Sequence, residues 1–203
     1  GLTEASPVVS CNPIHKIKVE TVGPPFKGNT IKISQDGEIL IKGENVMLGY
    51  WNNIKATEKV IKNGWLYTGD IGEIDPLDGY LKITDRKKDI IVSSGGDNIS
   101  PAKIENLLTN YSEIDQCMVY GNAKNYLVAL IVPNKELKNP KQKVSEIVHI
   151  INKNLTQVEK IKKYQLVNEN FSINNGLLTP TMKVKRYKVI SKYKNILESF
   201  YKN

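Results

Sequence analysis

Hydrophobic and polar positions alternate with a period of two through the first third of the chain. In TIKISQDGEILIKG, residues 30–43, apolar side chains recur on both sides of Asp36-Gly37, a pattern typical of a β-hairpin. A second hairpin is predicted in IGEIDPLDGYLKIT, residues 71–84, with its turn at DPLDG. The segment between them predicts a loop and a short helix, and its Trp51 and Trp65 are expected to be packing residues.

Beyond Asp85 the pattern changes to mixed helices and strands. Residues 90–92 predict a short buried strand, and Ser100-Pro101 is typical of the N-cap and first residue of a helix. IDQCMVYG and YLVALIVP predict two adjacent strands, and apolar residues at helical spacing over 144–155 predict an amphipathic helix. A strand near 164–167 is expected next. A last helix should carry Val189, Tyr193, Ile196 and Phe200 on one face.

Composition narrows the classes of protein to consider. The chain has 203 residues and a net charge of +8, with dispersed lysines, which fits either a polyanionic partner or a generic basic surface. Cys11 and Cys117 are far apart in sequence, so neither a disulfide framework nor a zinc site is expected. The longest apolar run, residues 126–133, is much shorter than a membrane span of about 20 residues. No signal peptide is recognised, and a cytoplasmic location is expected.

Five motifs follow one another in a defined order. They are GLTE (1–4), GEILIKGENVMLGYW (37–51), YTGD (67–70), DRKKDIIVSSGGDNISPAKIE (85–105) and LLTPTMKVKR (177–186). Their order and spacing resemble the adenylate-forming superfamily of acyl-CoA synthetases, luciferases and peptide-synthetase adenylation domains. DRKKDIIVSSGG, VYGNAKNYLVALIVP and LTPTMKVKR are most similar to the long-chain fatty-acid–CoA ligase branch.

The resemblance implies a fold and a domain organisation. We expect an α+β protein in which residues 1–86 form a β-rich part of the large AMP-binding domain, with hairpins and a distorted barrel. Residues 87–203 should form a small mixed α/β C-terminal lid domain. The phosphate loop and the acyl pocket of the family belong to a larger N-terminal part that is absent from this chain. The chain alone is therefore expected to be inactive.

The same resemblance implies a reaction and its ligands. Such ligases join a fatty acid to ATP, which gives an acyl-adenylate and pyrophosphate, and then pass the acyl group to coenzyme A with release of AMP. Glu4 would ligate Mg²⁺, since a hard cation prefers carboxylate oxygen, and Thr3 would contact the nucleotide phosphates. On local sequence alone, a Thr-Glu pair is also typical of a helix cap.

Three residues are assigned to the nucleotide and the chemistry. Asp70 would accept hydrogen bonds from both ribose hydroxyls, and Arg86 would reach the ribose from the other side. Lys183, in the TPTMK motif, would bridge the substrate carboxylate and the α-phosphate as the catalytic lysine. Its neighbours Lys185 and Arg186 are the alternative assignments.

The opening of the DRKKDIIVSSGG motif is assigned to movement of the lid. Lys88 aligns with the residue about which the family's lid rotates between the two half-reactions, with Asp85 as the alternative pivot. Gly95 and Gly96 would face the pantetheine tunnel, where a chain close to a ligand needs residues without Cβ. An ordinary Gly-Gly turn is the simpler interpretation.

Several alternatives remain open from the sequence. The chain could be a non-catalytic module that binds a nucleotide or a partner, left by a split or decayed gene. The acceptor could be an acyl-carrier protein instead of coenzyme A, since both present phosphopantetheine. Peripheral membrane contact would suit a lipid substrate, but no amphipathic anchor is found. Nucleic-acid binding is not expected, because no basic-aromatic interleaving occurs.

Overall fold

The computed structural model describes residues 1–202. The chain divides into two compact units, one of Gly1–Lys88 and a second that begins at Asp89. Each unit contains helices and strands, which confirms the expected mixed fold class. The assignment of 1–86 and 87–203 to two domains of a larger enzyme remains a prediction.

The first unit is built around a five-stranded sheet. A 3-10 turn at Thr3–Ala5 precedes β1 (Asn29–Ile33), β2 (Glu38–Gly43), α1 (Ile54–Val60), β3 (Ile61–Lys62), β4 (Trp65–Ile74) and β5 (Leu81–Arg86). The strand order is β1-β2-β4-β3, and β5 also pairs with β4. Both predicted hairpins are present, as antiparallel β1–β2 and β4–β5.

The two tryptophans differ in their surroundings. Trp65 is half-buried, and the Lys32 ammonium lies 4.1 Å from its ring centroid. Trp51 is 92% exposed, so its predicted packing role is wrong. It lies in a turn just before α1 rather than in the sheet, and no element among the described residues covers it.

The second unit is built around a three-stranded sheet. A 3-10 turn at Lys87–Asp89 precedes β6 (Ile91–Val92), β7 (Asn98–Ile99), α2 (Pro101–Thr109), β8 (Ile114–Tyr120), β9 (Leu127–Pro133), α3 (Pro140–Asn154), β10 (Ile161–Leu166), α4 (Arg186–Lys192) and α5 (Lys194–Ser199). The predicted pairing of β8 with β9 is confirmed and is antiparallel. β10 pairs with β9 in parallel, because the α3 crossover returns the chain in the same direction.

The central strand β9 is buried on both faces. Leu127, Ala129 and Ile131 pack in a core with α2 and α3. The intervening residues, Val128 and Leu130 among them, pack in a second core with residues from the last third of the chain. Side chains that alternate across a strand thus supply two cores, which explains the continuous apolar run.

Two local predictions are corrected. The expected single last helix is broken at Tyr193, whose backbone at φ −103° and ψ 17° is not helical. In α5, Leu197 is buried and Ile196 is 36% exposed. In β6, Ile91 is buried, but Val92 is 43% exposed, because a strand of two residues places one side chain on each face. Within residues 1–202, no helix combines the length and apolar character needed to cross a bilayer.

Candidate functional site

A cleft of about 350 Å³ in the first unit brings together three predicted site residues. Thr3 and Glu4, from the first 3-10 turn, line it together with Arg86 at the end of β5. Tyr50, Tyr67 and Thr68 are among the other lining residues. The residues come from segments more than 80 positions apart in the sequence, so the sheet creates this arrangement.

Asp70 lies beside this cleft through its pairing with Arg86. The two residues are direct partners in the β4–β5 register, and Arg86 Nε lies 2.8 Å from Asp70 Oδ1. The Asp70 side chain is only 15% exposed, whereas that of Arg86 is 52% exposed. A mostly buried carboxylate is therefore held next to an accessible guanidinium, whose fork presents several donors to a ligand.

The residues that precede Asp70 in β4 fix the direction of its side chain. Gly69 has a φ of +71°, a left-handed conformation that glycine adopts without strain. The Thr68 hydroxyl donates to the carbonyl oxygen of Ile39 at 2.8 Å and accepts from the Asp70 N–H at 3.1 Å. Thr68, Gly69 and Asp70 thus form an irregular part of β4 that is hydrogen-bonded to strand β2.

The Glu4 carboxylate has a partner that the sequence reasoning missed. The Tyr50 hydroxyl donates to Glu4 Oε1 at 2.8 Å, and this hydrogen bond raises the pKa of the Tyr50 phenol. No group of three or more acidic, histidine or cysteine side chains among residues 1–202 could hold a metal ion by itself. A Mg²⁺ ion that takes most of its ligands from phosphates and water needs only one or two carboxylates. Glu4 in this cleft fits that donor set.

The predicted hinge residues lie at the end of the first unit. Lys88 is an exposed member of the turn Lys87–Asp89, and its ammonium has no ion-pair partner among the described residues. Asp85 Oδ1 accepts from the Arg86 N–H at 2.7 Å. Lys87, in contrast, pairs with Asp36 and Glu38. Lys87 is thus held by two ion pairs, whereas Lys88 has none among the described residues. The role of Lys88 as the pivot remains a prediction.

Gly95 and Gly96 lie in the tight loop between β6 and β7. Ser93 Oγ accepts from the Gly95 and Asp97 N–H groups at 3.2 and 3.0 Å. Gly96 has a φ of +89°, so the turn itself requires glycine there. A Cβ at Gly95 would lie 3.3 Å from Asp97 Oδ2. The local turn accounts for Gly96, and the contact of both residues with pantetheine remains a prediction.

Lys183 lies in a hairpin-like turn of the second unit. The Thr179 N–H donates to the Lys183 carbonyl at 2.8 Å, and the Lys183 N–H donates to Thr179 Oγ1 at 3.0 Å. Met182 within the turn has a φ of +62°. The Lys183 side chain is exposed, and no partner for its ammonium is found within residues 1–202.

Arg186, one of the two alternatives to Lys183, binds other residues of the second unit through its side chain. Its Nη1 lies 2.7 Å from Glu105 Oε1 of α2, and its Nη2 donates to the Val119 carbonyl oxygen of β8 at 2.5 Å. Both side chains of the ion pair are more than 80% buried. Arg186 thus anchors the start of α4, and the catalytic role of Lys183 remains a prediction.

The structure groups the predicted site residues by unit. Thr3, Glu4, Asp70 and Arg86 meet in the first unit, whereas Gly95, Gly96 and Lys183 belong to the second. Sequence reasoning missed Tyr50 and Glu38. A glutamate at the start of the apolar strand EILI was a usable indication for Glu38, but no local pattern marks Tyr50.

Comparisons with known proteins agree with these motifs. The family model described as AMP-binding enzyme C-terminal domain matches residues 88–203. A long-chain fatty-acid–CoA ligase of Mycobacterium bovis is 44% identical over 136 residues, which is 67% of this chain and 22% of that ligase. A long-chain fatty-acid–CoA ligase of Salmonella typhimurium is 41% identical over 133 residues, 60% of this chain and 23% of that enzyme. The matched segments thus span less than a quarter of these curated relatives.

A solved structure extends the similarity to nearly all of the chain. The A domain of carboxylic acid reductase from Segniliparus rugosus, in complex with AMP and a co-purified carboxylic acid, superimposes with a TM-score of 0.79. The match covers 99% of this chain and 34% of that domain, at 25% sequence identity. The similarity therefore includes the first unit, which lies outside the family model's range.

Proposed function

We propose that this chain is the C-terminal part of a long-chain fatty-acid–CoA ligase. The chain belongs to the AMP-binding enzyme C-terminal domain family, in the long-chain fatty-acid–CoA ligase branch of the adenylate-forming superfamily. In that role it supplies the ribose site, the hinge, the coenzyme A face and the adenylation lysine. The reaction converts ATP, a fatty acid and coenzyme A to acyl-CoA, AMP and pyrophosphate. The chain by itself neither adenylates a fatty acid nor forms a thioester.

One observation carries the proposal beyond family membership. Thr3, Glu4 and Arg86 line a single cleft, and Asp70 is paired with Arg86 at its edge. These are the residues that the motifs assign to the phosphates, Mg²⁺ and the ribose. A set of unrelated surface residues would have no reason to converge from the first turn and two strands.

Each residue of this cleft has a chemical task in the proposed reaction. The Asp70 carboxylate accepts hydrogen bonds from both ribose hydroxyls, while Arg86 donates to the sugar from its exposed side. The Thr3 hydroxyl donates to a phosphate oxygen. Glu4 would hold Mg²⁺ together with the phosphates, and a bound Mg²⁺ neutralises phosphate charge and orients the reacting groups.

Lys183 completes the adenylation step in this proposal. As the fatty-acid carboxylate attacks the α-phosphorus, negative charge accumulates on the phosphate oxygens, and the Lys183 ammonium neutralises it. An exposed lysine without a partner can approach the phosphate without first breaking an ion pair. Rotation at Lys88 would then exchange this turn for the loop of Gly95 and Gly96, which would face pantetheine.

Fatty-acid-dependent exchange of radiolabelled pyrophosphate into ATP tests this function. We expect no exchange by the chain alone. A chimera in which this chain replaces the matching C-terminal segment of the Salmonella typhimurium ligase should catalyse exchange. Lys183→Ala should lower its rate at least about 100-fold, the size of loss typical for one transition-state charge contact. Lys185→Ala is the matched control and should retain the rate.

The outcomes separate the proposal from its alternatives. Exchange by the chain alone would overturn the claim that it needs an N-terminal partner. A chimera that folds but shows no exchange, with AMP still bound by the chain, would favour a non-catalytic nucleotide-binding module. If an active chimera forms a thioester with acyl-carrier protein but not with free coenzyme A, the acyl acceptor is acyl-carrier protein and the proposed acceptor is wrong.

A further inference from the structure

Glu38, at the start of β2, is a buried charged residue. It is 4% exposed and is the one charged residue in the buried class within residues 1–202. Transfer of a carboxylate out of water is costly unless hydrogen bonds and an opposite charge replace the lost solvent. The partners of Glu38 therefore indicate why a carboxylate is kept at this position.

The two oxygens of Glu38 bind different parts of the first unit. Oε1 accepts from the Gly69 N–H at 2.8 Å. Oε2 accepts from the Lys87 ammonium, also at 2.8 Å. The second partner of Lys87 is Asp36, in the β1–β2 turn, at 2.6 Å. Hydrogen bonds to an ionised carboxylate are stronger than those between neutral groups.

The sequence positions of these partners suggest a function for Glu38. Gly69 immediately precedes Asp70, and Lys87 lies between Arg86 and Lys88. Glu38 thus connects the part of β4 that carries Asp70 with the segment that follows Arg86. The pairing of Asp70 with Arg86 lies between these two attachments.

We propose that Glu38 is a positioning residue for Asp70: its carboxylate holds the Thr68–Asp70 segment of β4 and the Lys87 segment in one arrangement, so that Asp70 and Arg86 are set to receive a nucleotide ribose. This inference rests on the proposed nucleotide function of Asp70. Without Glu38 the Gly69 N–H loses its partner, and the left-handed glycine is free to adopt other conformations. The direction of the Asp70 side chain is then no longer fixed.

The properties of the carboxylate suggest a graded series of variants. Glu38→Ala removes both contacts. Glu38→Gln keeps an oxygen that can accept from the Gly69 N–H but removes the negative charge that binds Lys87. In this variant Lys87 keeps its ion pair with Asp36. Glu73→Ala is the matched control, since Glu73 is an exposed glutamate on β4, the strand that carries Asp70.

The first measurement is made on the 203-residue chain without ligand, by NMR of the Gly69 amide and the Asp70 carboxyl carbon. Glu38→Ala should shift the Gly69 amide proton upfield, increase its hydrogen exchange at least about 10-fold and shift the Asp70 carboxyl signal. Glu38→Gln should leave both signals close to wild type, and Glu73→Ala should leave them unchanged. Wild-type signals in Glu38→Ala would overturn the proposal.

The second measurement is titration of the same variants with AMP. We expect about a 10-fold weaker affinity for Glu38→Ala, rescue to within about 3-fold by Glu38→Gln, and no change for Glu73→Ala. Altered Gly69 and Asp70 signals with unchanged AMP affinity would show that Glu38 is only structural and would overturn the proposal. If the wild-type chain fails to bind AMP, the proposed function fails, while the Asp70 signal still decides whether Glu38 positions that carboxylate.

Discussion

The ribose corner of the first unit, which consists of Asp70 and Arg86 and is named for its proposed role, differs from the Lys183 turn of the second unit in how its side chains are held. Asp70 lies in strand β4, where it is paired with Arg86, and the residues just before it in the same strand are held by hydrogen bonds of Glu38 and Thr68. Lys183 lies in a turn that is closed by an isolated bridge between Leu178 and Val184, and its ammonium is exposed without a partner within residues 1–202. Several side-chain contacts hold the first site, whereas the ammonium of the second has no partner within residues 1–202.

The difference matches the two tasks that we propose. A residue that orients a sugar gains from being held in place, because less conformational entropy is lost on binding. A residue that neutralises charge in one half-reaction and then withdraws gains from having no competing partner. The turn that carries Lys183 is itself anchored three residues later, where Arg186 binds Glu105.

The largest effect is expected from Arg186→Ala, which breaks the anchor of the Lys183 turn. It leaves the mostly buried Glu105 carboxylate without its guanidinium and removes the donor to the Val119 carbonyl. We expect the free energy of unfolding to fall by about 2 to 4 kcal/mol, as for other broken buried pairs. Urea denaturation followed by circular dichroism measures the loss. Lys188→Ala, an exposed change in α4, is the control, and equal stability of the two variants would contradict the anchor role.

A smaller effect is expected at acid pH from the ion pair that supports the ribose corner. The hydrogen bond from Lys87, and then that from Ser34, lower the pKa of Asp36 to about 2, below its ordinary value of 3.8. Asp36 therefore contributes stability that is present above pH 3.8 and is lost as the pH falls toward 2. Because Asp36 is more than half exposed, solvent screening keeps this contribution small.

The measurement for Asp36 is the melting temperature of the wild type and of Asp36→Asn between pH 2 and 6. The wild type should be the more stable protein at pH 6, and the difference should narrow as the pH approaches 2. A difference that does not depend on pH would mean that the charge of Asp36 does not stabilise Lys87.

The smallest effect on stability is expected from Lys183→Ala. An exposed side chain without a partner contributes little to folding, so the free energy of unfolding should change by less than about 0.5 kcal/mol. The same variant should lower the rate of pyrophosphate exchange in the chimera described above at least about 100-fold. If Lys183→Ala keeps its stability but loses activity, Lys183 acts only in the reaction, unlike the residues of the ribose corner, which also have structural contacts. A marked loss of stability would instead show that Lys183 has a structural partner.

The periodicity of the sequence predicted most of the secondary structure. Both hairpins, the helix opening at Ser100-Pro101 and the amphipathic helix α3 are present, because each depends on local turn chemistry, capping or a continuous apolar face. The exposure of Trp51 and the break at Tyr193 were not predicted, because each depends on what a distant element covers.

For the candidate site, the motifs determined which residues to consider, and the tertiary structure decided which of them meet. Asp70, Arg86 and Lys183 follow from motif resemblance alone. The cleft shared by Thr3, Glu4 and Arg86, the Tyr50–Glu4 hydrogen bond and the bridging role of Glu38 depend on contacts between residues more than 30 positions apart. A one-dimensional pattern encodes local backbone preferences and burial, whereas the pairing of a buried charge is set by the register of strands that only folding brings together.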